Sequence, residues 1–416
     1  MLKLSIRDLA LTGQRVFVRV DFNVPLDASG AVADDTRLRA SLPTIQHARS
    51  AGATVVLASH LGRPKGRIER RYSLRPIADR VARLLAQPIS FAENCVGDAA
   101  RLAVERAHSH DAESRVVLLE NLRFHPGEEQ NDPVFAQHLA SLAELYVNDA
   151  FAAAHRAHAS VEGITHYMPS AAAGLLMERE LQYLGRVVTS PDRPLVVILG
   201  GAKVSDKLDV IQHLLPRLDR LIVGGAMAYT FLKARGVPVG RSLVEDDKLD
   251  SARQVEAKAA ARGLRLELPV DLVVAEKLEA DVPGEILDVG DIAIGDRMGV
   301  DIGPKTIARY GAVIKDARTV VWNGPMGVFE NAHFAAGTHA VARAVAAVSG
   351  TTVVAGGDST AAVRRAGVAD RITHISTGGG ASLEFLGGRP LPGVEALSEK
   401  PVASTATIES TPTQAK

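Results

Sequence analysis

Lys203 and Lys207 lie four residues apart, just past two glycines that end an apolar run, in LVVILGGAKVSDKLDVIQHLLPRL (residues 195–218). Leu195–Leu199 predicts a buried strand. Gly200 and Gly201 break it, and Leu208, Ile211, Leu215 and Leu218 then recur at helical spacing. Ser205 followed by Asp206 reads as the helix start. Strand, glycine turn and helix N-terminus in that order suit a phosphate group. If helical geometry reaches back to Lys203, both ammonium groups share one face.

A second set of chemistry-bearing residues recurs in the first half, each group just after a short apolar run. Asp21, Asn23 and Pro25 follow Val16–Val20. Ser59, His60, Gly62, Arg63 and Pro64 follow Thr54–Ala58. Glu120, Asn121 and Arg123 follow Val116–Leu119. Asn148 and Asp149, then His155, Arg156 and His158, follow Leu145–Val147, and Arg37 and Arg39 lie in DDTRLRAS. Arginine forks match phosphate and carboxylate bidentately, so several converging on one rim fit a small substrate carrying both groups. His60, His155 and His158 lack the cysteine or carboxylate spacing of a zinc site, and hydrogen-bonding roles are the preferred reading.

The second half offers glycines instead: Gly200-Gly201, Gly224-Gly225, VWNGPMGVFE at Val321–Glu330, GGDS at Gly356–Ser359 and Gly378–Gly380. Glycine lets backbone N–H groups approach phosphates. Gly299 borders the same region in sequence, and Glu330 could take a ribose hydroxyl. Asp358 reads either as a Mg²⁺ ligand beside phosphates or as a helix cap.

The elements that must hold these residues alternate throughout. Further strands are expected at Leu221–Val223, Val270–Val274, Val320–Trp322 and Thr352–Ala355. Helices are expected at Leu74–Leu85, Pro133–Leu142 and Ala335–Val348, with Ala171–Val188 read as one helix before the break SPDRP. Alternation of this kind predicts α/β architecture with doubly wound parallel (Rossmann-like) sheets, whose ligands sit past the strand C-termini. With 416 residues the chain exceeds one ordinary core, so two domains are the default. Lys+Arg 48 balances Asp+Glu 48, and no global charge bias points to nucleic acid or a membrane surface. The single cysteine, Cys95, excludes an internal disulfide and fits a reducing, cytoplasmic setting. No signal peptide or membrane-length apolar run is evident. There is no Gly-Lys pair of a P-loop and no G-x-G-x-x-G. Ser398–Lys416, rich in Ser, Thr and Pro, reads as a disordered tail.

Eight motifs together resemble the phosphoglycerate kinase family: RVDFNVP, SHLGRP, ENLRF, AHRAHAS, GGAKVSDK, VWNGPMGVFE, GGDS and STGGGASLE, in the family's order from about Leu4 to Leu397. The resemblance implies a glycolytic, ATP-binding kinase, a transferase with a carboxyl group as acceptor. It would move the acyl phosphate of 1,3-bisphosphoglycerate to ADP, giving 3-phosphoglycerate and Mg·ATP. It implies two domains facing each other across a cleft, joined by a helix, with hinge closure and a monomeric state. The corresponding division is a triose domain at 1–172, a connecting helix and hinge at 173–190, a nucleotide domain at 191–388, and a returning segment at 389–397. Carried over by position, the triose site holds Asp21, Phe22, Asn23, Arg37, His60, Leu61, Gly62, Arg63, Arg123 and Arg156. The nucleotide site holds Lys207, Gly299, Glu330, Gly356, Gly357, Asp358 and Ser359, with Asp358 on Mg²⁺. Arg37, Lys203, Lys207, Gly379 and Gly380 flank the phosphoryl group in flight. The chain departs from the family at Gly387-Gly388-Arg389, which touches one local contact.

An ADP oxygen and a carboxylate are both ionised near neutral pH, so this chemistry needs no general base, only positioning and charge neutralisation. Two other readings are a nicotinamide-dependent dehydrogenase, which the missing glycine fingerprint opposes, and a non-catalytic relative of the same fold. Retention of Arg37, Lys203, Lys207 and Asp358 together opposes the latter.

Overall fold

The computed structural model describes residues 3–401 apart from 280 and 282. Two compact units divide the described chain. The first holds the described residues through Asp149, His158–Leu175 and those from Ala396. The second holds Ala150–Ala157 and Leu176–Glu395.

The first unit is built on six parallel strands: β1 (Arg15–Arg19), β2 (Thr54–Ala58), β3 (Ser90–Ala92), β4 (Val116–Leu119), β5 (Leu145–Asn148) and β6 (Ala171–Ala173), ordered β3-β4-β2-β1-β5-β6. Every residue of β2 is buried, as expected of a central strand covered on both faces. Leu38 and Ile45 of helix Thr36–Ser50 and Ile77, Val81 and Leu85 of helix Arg75–Leu85 join Val16, Val18, Val55 and Leu57 in one core. The strand order reverses between β1 and β5, so their C-terminal ends open the crevice where a ligand can enter.

The second unit carries a sheet of the same design: β7 (Leu195–Leu199), β8 (Arg220–Val223), β9 (Arg265–Glu267), β13 (Thr319–Asn323), β14 (Thr351–Ala355) and β15 (His374–Ile375), ordered β15-β14-β13-β7-β8-β9 and parallel. Its reversal lies between β7 and β13. A smaller sheet of β10 (Asp271–Ala275), β11 (Glu285–Asp288) and β12 (Met298–Ile302) is antiparallel.

Three local expectations are corrected. Ala171–Val188 is not one helix: Ala171–Ala173 is strand β6, and the helix is Leu175–Thr189. The break falls at Gly174, where an added Cβ would stand 2.2 Å from Asp149 Oδ1. The apolar run at 270–274 does not enter a parallel sheet but starts the antiparallel one, because Val270 and Asp271 are tied to Thr306 and shift the strand to Asp271–Ala275. Helical geometry does not reach Lys203. A 3₁₀ turn at Ser205–Lys207 leads into helix Leu208–Leu214, and Ser205 is held by the Glu245 carboxylate instead of capping a helix. Lys203 and Lys207 therefore do not share a helical face.

At the chain's far end, Ser398 accepts from Leu4 N–H and donates its own N–H to Ala171, and Lys400 pairs with Asp8. The remainder of the expected disordered tail, residues 402–416, lies outside the described residues. Gly388 and Arg389 pack in the second unit, Gly388 closely against His213 and Arg389 on Asp209.

Candidate active site

In the first unit the turn after β1 delivers Asp21, Phe22 and Asn23. Phe22 is fully buried and anchors the turn, its N–H bonded to Ser59 Oγ at 2.8 Å. Asp21 is left at the rim, where its Oδ2 accepts from Arg37 Nη1 at 2.6 Å. The same Arg37 nitrogen reaches the Asn23 carbonyl at 3.3 Å. Asn23 Oδ1 accepts from Gly62 N–H at 2.9 Å, and the Gly62 carbonyl accepts from Arg123 Nη1 at 2.8 Å. Asp21, Asn23, Arg37, Gly62 and Arg123 thus form one connected rim over β1, β2 and β4. Asn121 fastens it from below, donating to the Leu61 and Tyr72 carbonyls at 2.8 and 2.9 Å. Leu61 is core, so its contribution is backbone. Arg63 is exposed. Gly62 is required as glycine: its φ is +62° and a Cβ would strike the Tyr72 ring at 2.4 Å.

His60 is buried beside Arg19, with Nδ1 3.1 Å from Arg19 Nη2. Burial pushes its pKa well below the usual histidine value, and Arg19, Arg123, His158 and Arg37 push the same way. Arg19 is a residue that sequence reasoning missed. It ends strand β1 and is fully buried. Arg156 belongs to the second unit, its Nε 3.1 Å from His155 Nε2.

In the second unit the turns after β7 and β13 interlock. Gly200 N–H bonds to the Asn323 carbonyl and Gly201 N–H to Pro325, each at 2.9 Å, and Gly225 N–H bonds to Met326 at 3.0 Å. Gly200 meets the facing turn so closely that a Cβ there would lie 2.1 Å from the Pro325 carbonyl oxygen. Onto this knot comes Lys207, whose Nζ donates to Asn323 Oδ1. Burial lowers the Lys207 pKa, while Asp206 and Asp358 oppose the shift. Asn323 Nδ2 bonds to the Ala355 carbonyl at 2.7 Å, and Ser359 Oγ accepts from Gly324 N–H at 2.6 Å. Lys207, the Gly356–Ser359 turn and the Asn323-Gly324 turn are therefore one cluster. Asn323 is its hub, and the sequence reading passed over it.

The Asp358 carboxylate is exposed in the first turn of helix Gly357–Arg365. Glu330 and Lys203 are also exposed. Gly299 already gives its N–H to Ser242 Oγ at 2.9 Å. It lies on Tyr229, where a Cβ would meet the hydroxyl at 2.3 Å, so its value is the missing side chain. Its strand is tied to the turn bearing Glu330 by Val328 N–H on the Val300 carbonyl. Gly378 packs on Phe151. Gly379 turns the chain at φ +55°, and helix Gly380–Leu386 follows. Among the described residues no cluster of three or more His, Cys, Asp or Glu could hold a metal ion, and no helix is long and apolar enough to cross a membrane.

A family model described as phosphoglycerate kinase matches residues 6–389. Among curated proteins the chain is 56% identical over 407 residues to a phosphoglycerate kinase of Koribacter versatilis, covering 96% of this chain and 100% of that one. It is 56% identical over 400 residues to one of Moorella thermoacetica, with the same coverage. Among solved structures, phosphoglycerate kinase from Coxiella burnetii superposes with a TM-score of 0.84 at 40% identity, covering 95% of this chain and 98% of that one. Phosphoglycerate kinase from Pyrococcus horikoshii does so with a TM-score of 0.79 at 34% identity. With the eight motifs, the two six-stranded parallel sheets and a match spanning nearly the whole sequence, the chain belongs to the phosphoglycerate kinase family.

Proposed function

We propose that the chain transfers the acyl phosphate of 1,3-bisphosphoglycerate to ADP, reversibly, yielding 3-phosphoglycerate and ATP. The observation that carries this reading is the contrast at the two switch points: arginine forks at the β1/β5 rim, glycine amides and a half-buried lysine at β7/β13. The first suits a small molecule with phosphate and carboxylate ends; the second suits a nucleotide's phosphates.

In this reading Asp21, Asn23, Arg37, His60, Arg63, Arg123 and Arg156, with the backbone at Phe22, Leu61 and Gly62, bind the triose. Lys207, Gly299, Glu330 and Gly356–Ser359 bind the nucleotide. Arg37, Lys203, Lys207 and the Gly379-Gly380 amides neutralise the transferring phosphoryl group. Both nucleophiles are already anions, so positioning and charge neutralisation are the catalysis.

The exposed Asp358 carboxylate, beside Lys207 in a glycine turn, is a hard oxygen donor that fits Mg²⁺ held jointly with nucleotide phosphates. The ion would spread phosphate charge when bound. We also propose a cytoplasmic monomer; the one thiol, Cys95, is buried and unpaired with another cysteine, as suits a reducing compartment.

A coupled assay with 3-phosphoglycerate and Mg·ATP tests the reading. Formation of ADP dependent on 3-phosphoglycerate is expected. Binding of both substrates without turnover would instead mark a non-catalytic relative.

A further inference from the structure

Arg19 stands in the middle of a buried chain of hydrogen bonds that ends on His60. Its side chain is fully buried. Nε donates to Ser160 Oγ at 2.8 Å, Nη1 donates to the Val20 carbonyl, and Nη2 meets His60 Nδ1 at 3.1 Å. A guanidinium has donors and no acceptor, and it keeps its protons at any working pH. The nitrogen facing it must therefore present a lone pair. His60 Nδ1 is thus bare, and in the neutral ring the proton sits on Nε2.

The direction of the chain is fixed at its other end too. Ser160 Oγ accepts from Arg19, so its own proton goes to Glu128 Oε1, 2.6 Å away. Ser160 N–H donates to Glu128 Oε2 at 3.0 Å. Glu128 is fully buried, and the carbonyl of the same residue accepts from Ala159 N–H at 3.0 Å, which holds the segment in place. The order is carboxylate, hydroxyl, guanidinium, imidazole. An imidazolium at His60 would turn an N–H against the guanidinium, and the remaining charged or titratable neighbours acting on it are Arg123, His158 and Arg37. Glu128 is linked to His60 through Ser160 and Arg19; burial raises the Glu128 pKa, while Arg19, the two Ser160 bonds and Arg123 oppose that shift.

We infer that Arg19, and Glu128 acting through Ser160, are positioning residues that hold His60 as a neutral imidazole with Nε2–H offered as a hydrogen-bond donor to the anionic triose. This rests on the proposed role of His60 in triose binding. Charge recognition then belongs to the arginines, and His60 supplies direction. Burial, which disfavours the imidazolium, acts in the same sense.

The test is ring-nitrogen NMR on the full-length, ¹⁵N-labelled protein, with His60→Gln identifying the His60 signals among the 13 histidines. The expected result is a bare Nδ1 and a protonated Nε2, unchanged as the pH falls past the ordinary histidine value of about 6.5. Adding 3-phosphoglycerate should shift the Nε2–H signal without protonating Nδ1. A ring protonated on Nδ1, or doubly protonated at pH 6.5, overturns the inference. So does an Nε2–H signal untouched by a triose that calorimetry shows to be bound. If calorimetry shows no triose binding at all, the proposed function fails, and the substrate role of His60 with it, whatever the tautomer. Arg19→Met is expected to raise the pH at which His60 takes up a second proton, while burial, Arg123, His158 and Arg37 still hold it below the ordinary value. Ser160→Ala, a smaller change, should weaken the constraint in the same direction. An unchanged His60 titration in a folded Arg19→Met protein would remove Arg19 from the role.

Discussion

Arg37 Nη1 lies 2.6 Å from Asp21 Oδ2, a pair in which the carboxylate is buried and the guanidinium one-third exposed. The pair does two things. It satisfies a carboxylate at the rim of β1, and it aims an arginine from a separate helix across the mouth of the site. Asp21→Asn should leave Arg37 charged but poorly aimed. The expected outcome is a fall of roughly tenfold in kcat/KM for 3-phosphoglycerate, about 1.4 kcal/mol, with KM for ATP little changed. Steady-state kinetics with each substrate varied checks it; an equal rise in both KM values would refute the assignment.

Arg63 and Lys203 are both exposed, so neither should matter much for stability. Arg63→Ala is expected to weaken 3-phosphoglycerate binding by roughly 1.5–3 kcal/mol, the scale of a charge-assisted hydrogen bond. Lys203→Ala should instead lower kcat far more than it weakens triose binding. Calorimetry and turnover on the two variants separate these roles, and a Lys203→Ala protein with near-normal kcat sinks the second.

Gly200→Ala should be severely destabilising. Its Cβ would enter the space of the Pro325 and Gly324 carbonyl oxygens, at 2.1 and 2.7 Å, and neither is a side chain that can swing away. Overpacking on this scale costs about 1–3 kcal/mol or more. Gly357→Ala is the control, since nothing lies within 4 Å of the added methyl. Urea unfolding of both proteins should show a much lower midpoint for Gly200→Ala alone.

Asp301 supplies a pH prediction. Its buried carboxylate accepts from Ile302 and Gly337 N–H groups, and burial outweighs those bonds, so its pKa is pushed up to about 7. The folded value exceeds the unfolded one, so the native state holds the extra proton between about pH 4 and 7. This contribution to stability is fully present at the acid end and is lost as pH rises through 7. Asp301→Asn cannot lose a proton. Its stability deficit relative to the unchanged protein should therefore shrink between pH 5 and pH 8. Denaturant unfolding at those two values measures it, and a deficit that widens towards pH 8 contradicts the assignment.

Much of the site was legible in the sequence because it sits where short apolar runs stop. Val16–Val20, Thr54–Ala58 and Leu195–Leu199 are short, largely apolar and mostly β-branched, which reads as buried strands, so the polar residues after them collect at a sheet edge. The glycines of 200–201 and 356 announced close backbone approach for a related reason: only glycine tolerates it. Tertiary structure decided the rest. Ala171–Ala173 has helical propensity, but an open place beside β5 makes it a strand. The lysine pair looked helical by spacing, yet Ser205 is captured by Glu245, 40 residues away, so the helix starts late and Lys207 turns to Asn323. Arg19 and Glu128 were not singled out by any motif or spacing. They are buried because Ser160 and His60 come to them from distant segments. Local pattern fixes which residues reach an edge; which of them meet there depends on partners far away in the chain, and periodicity carries no record of those.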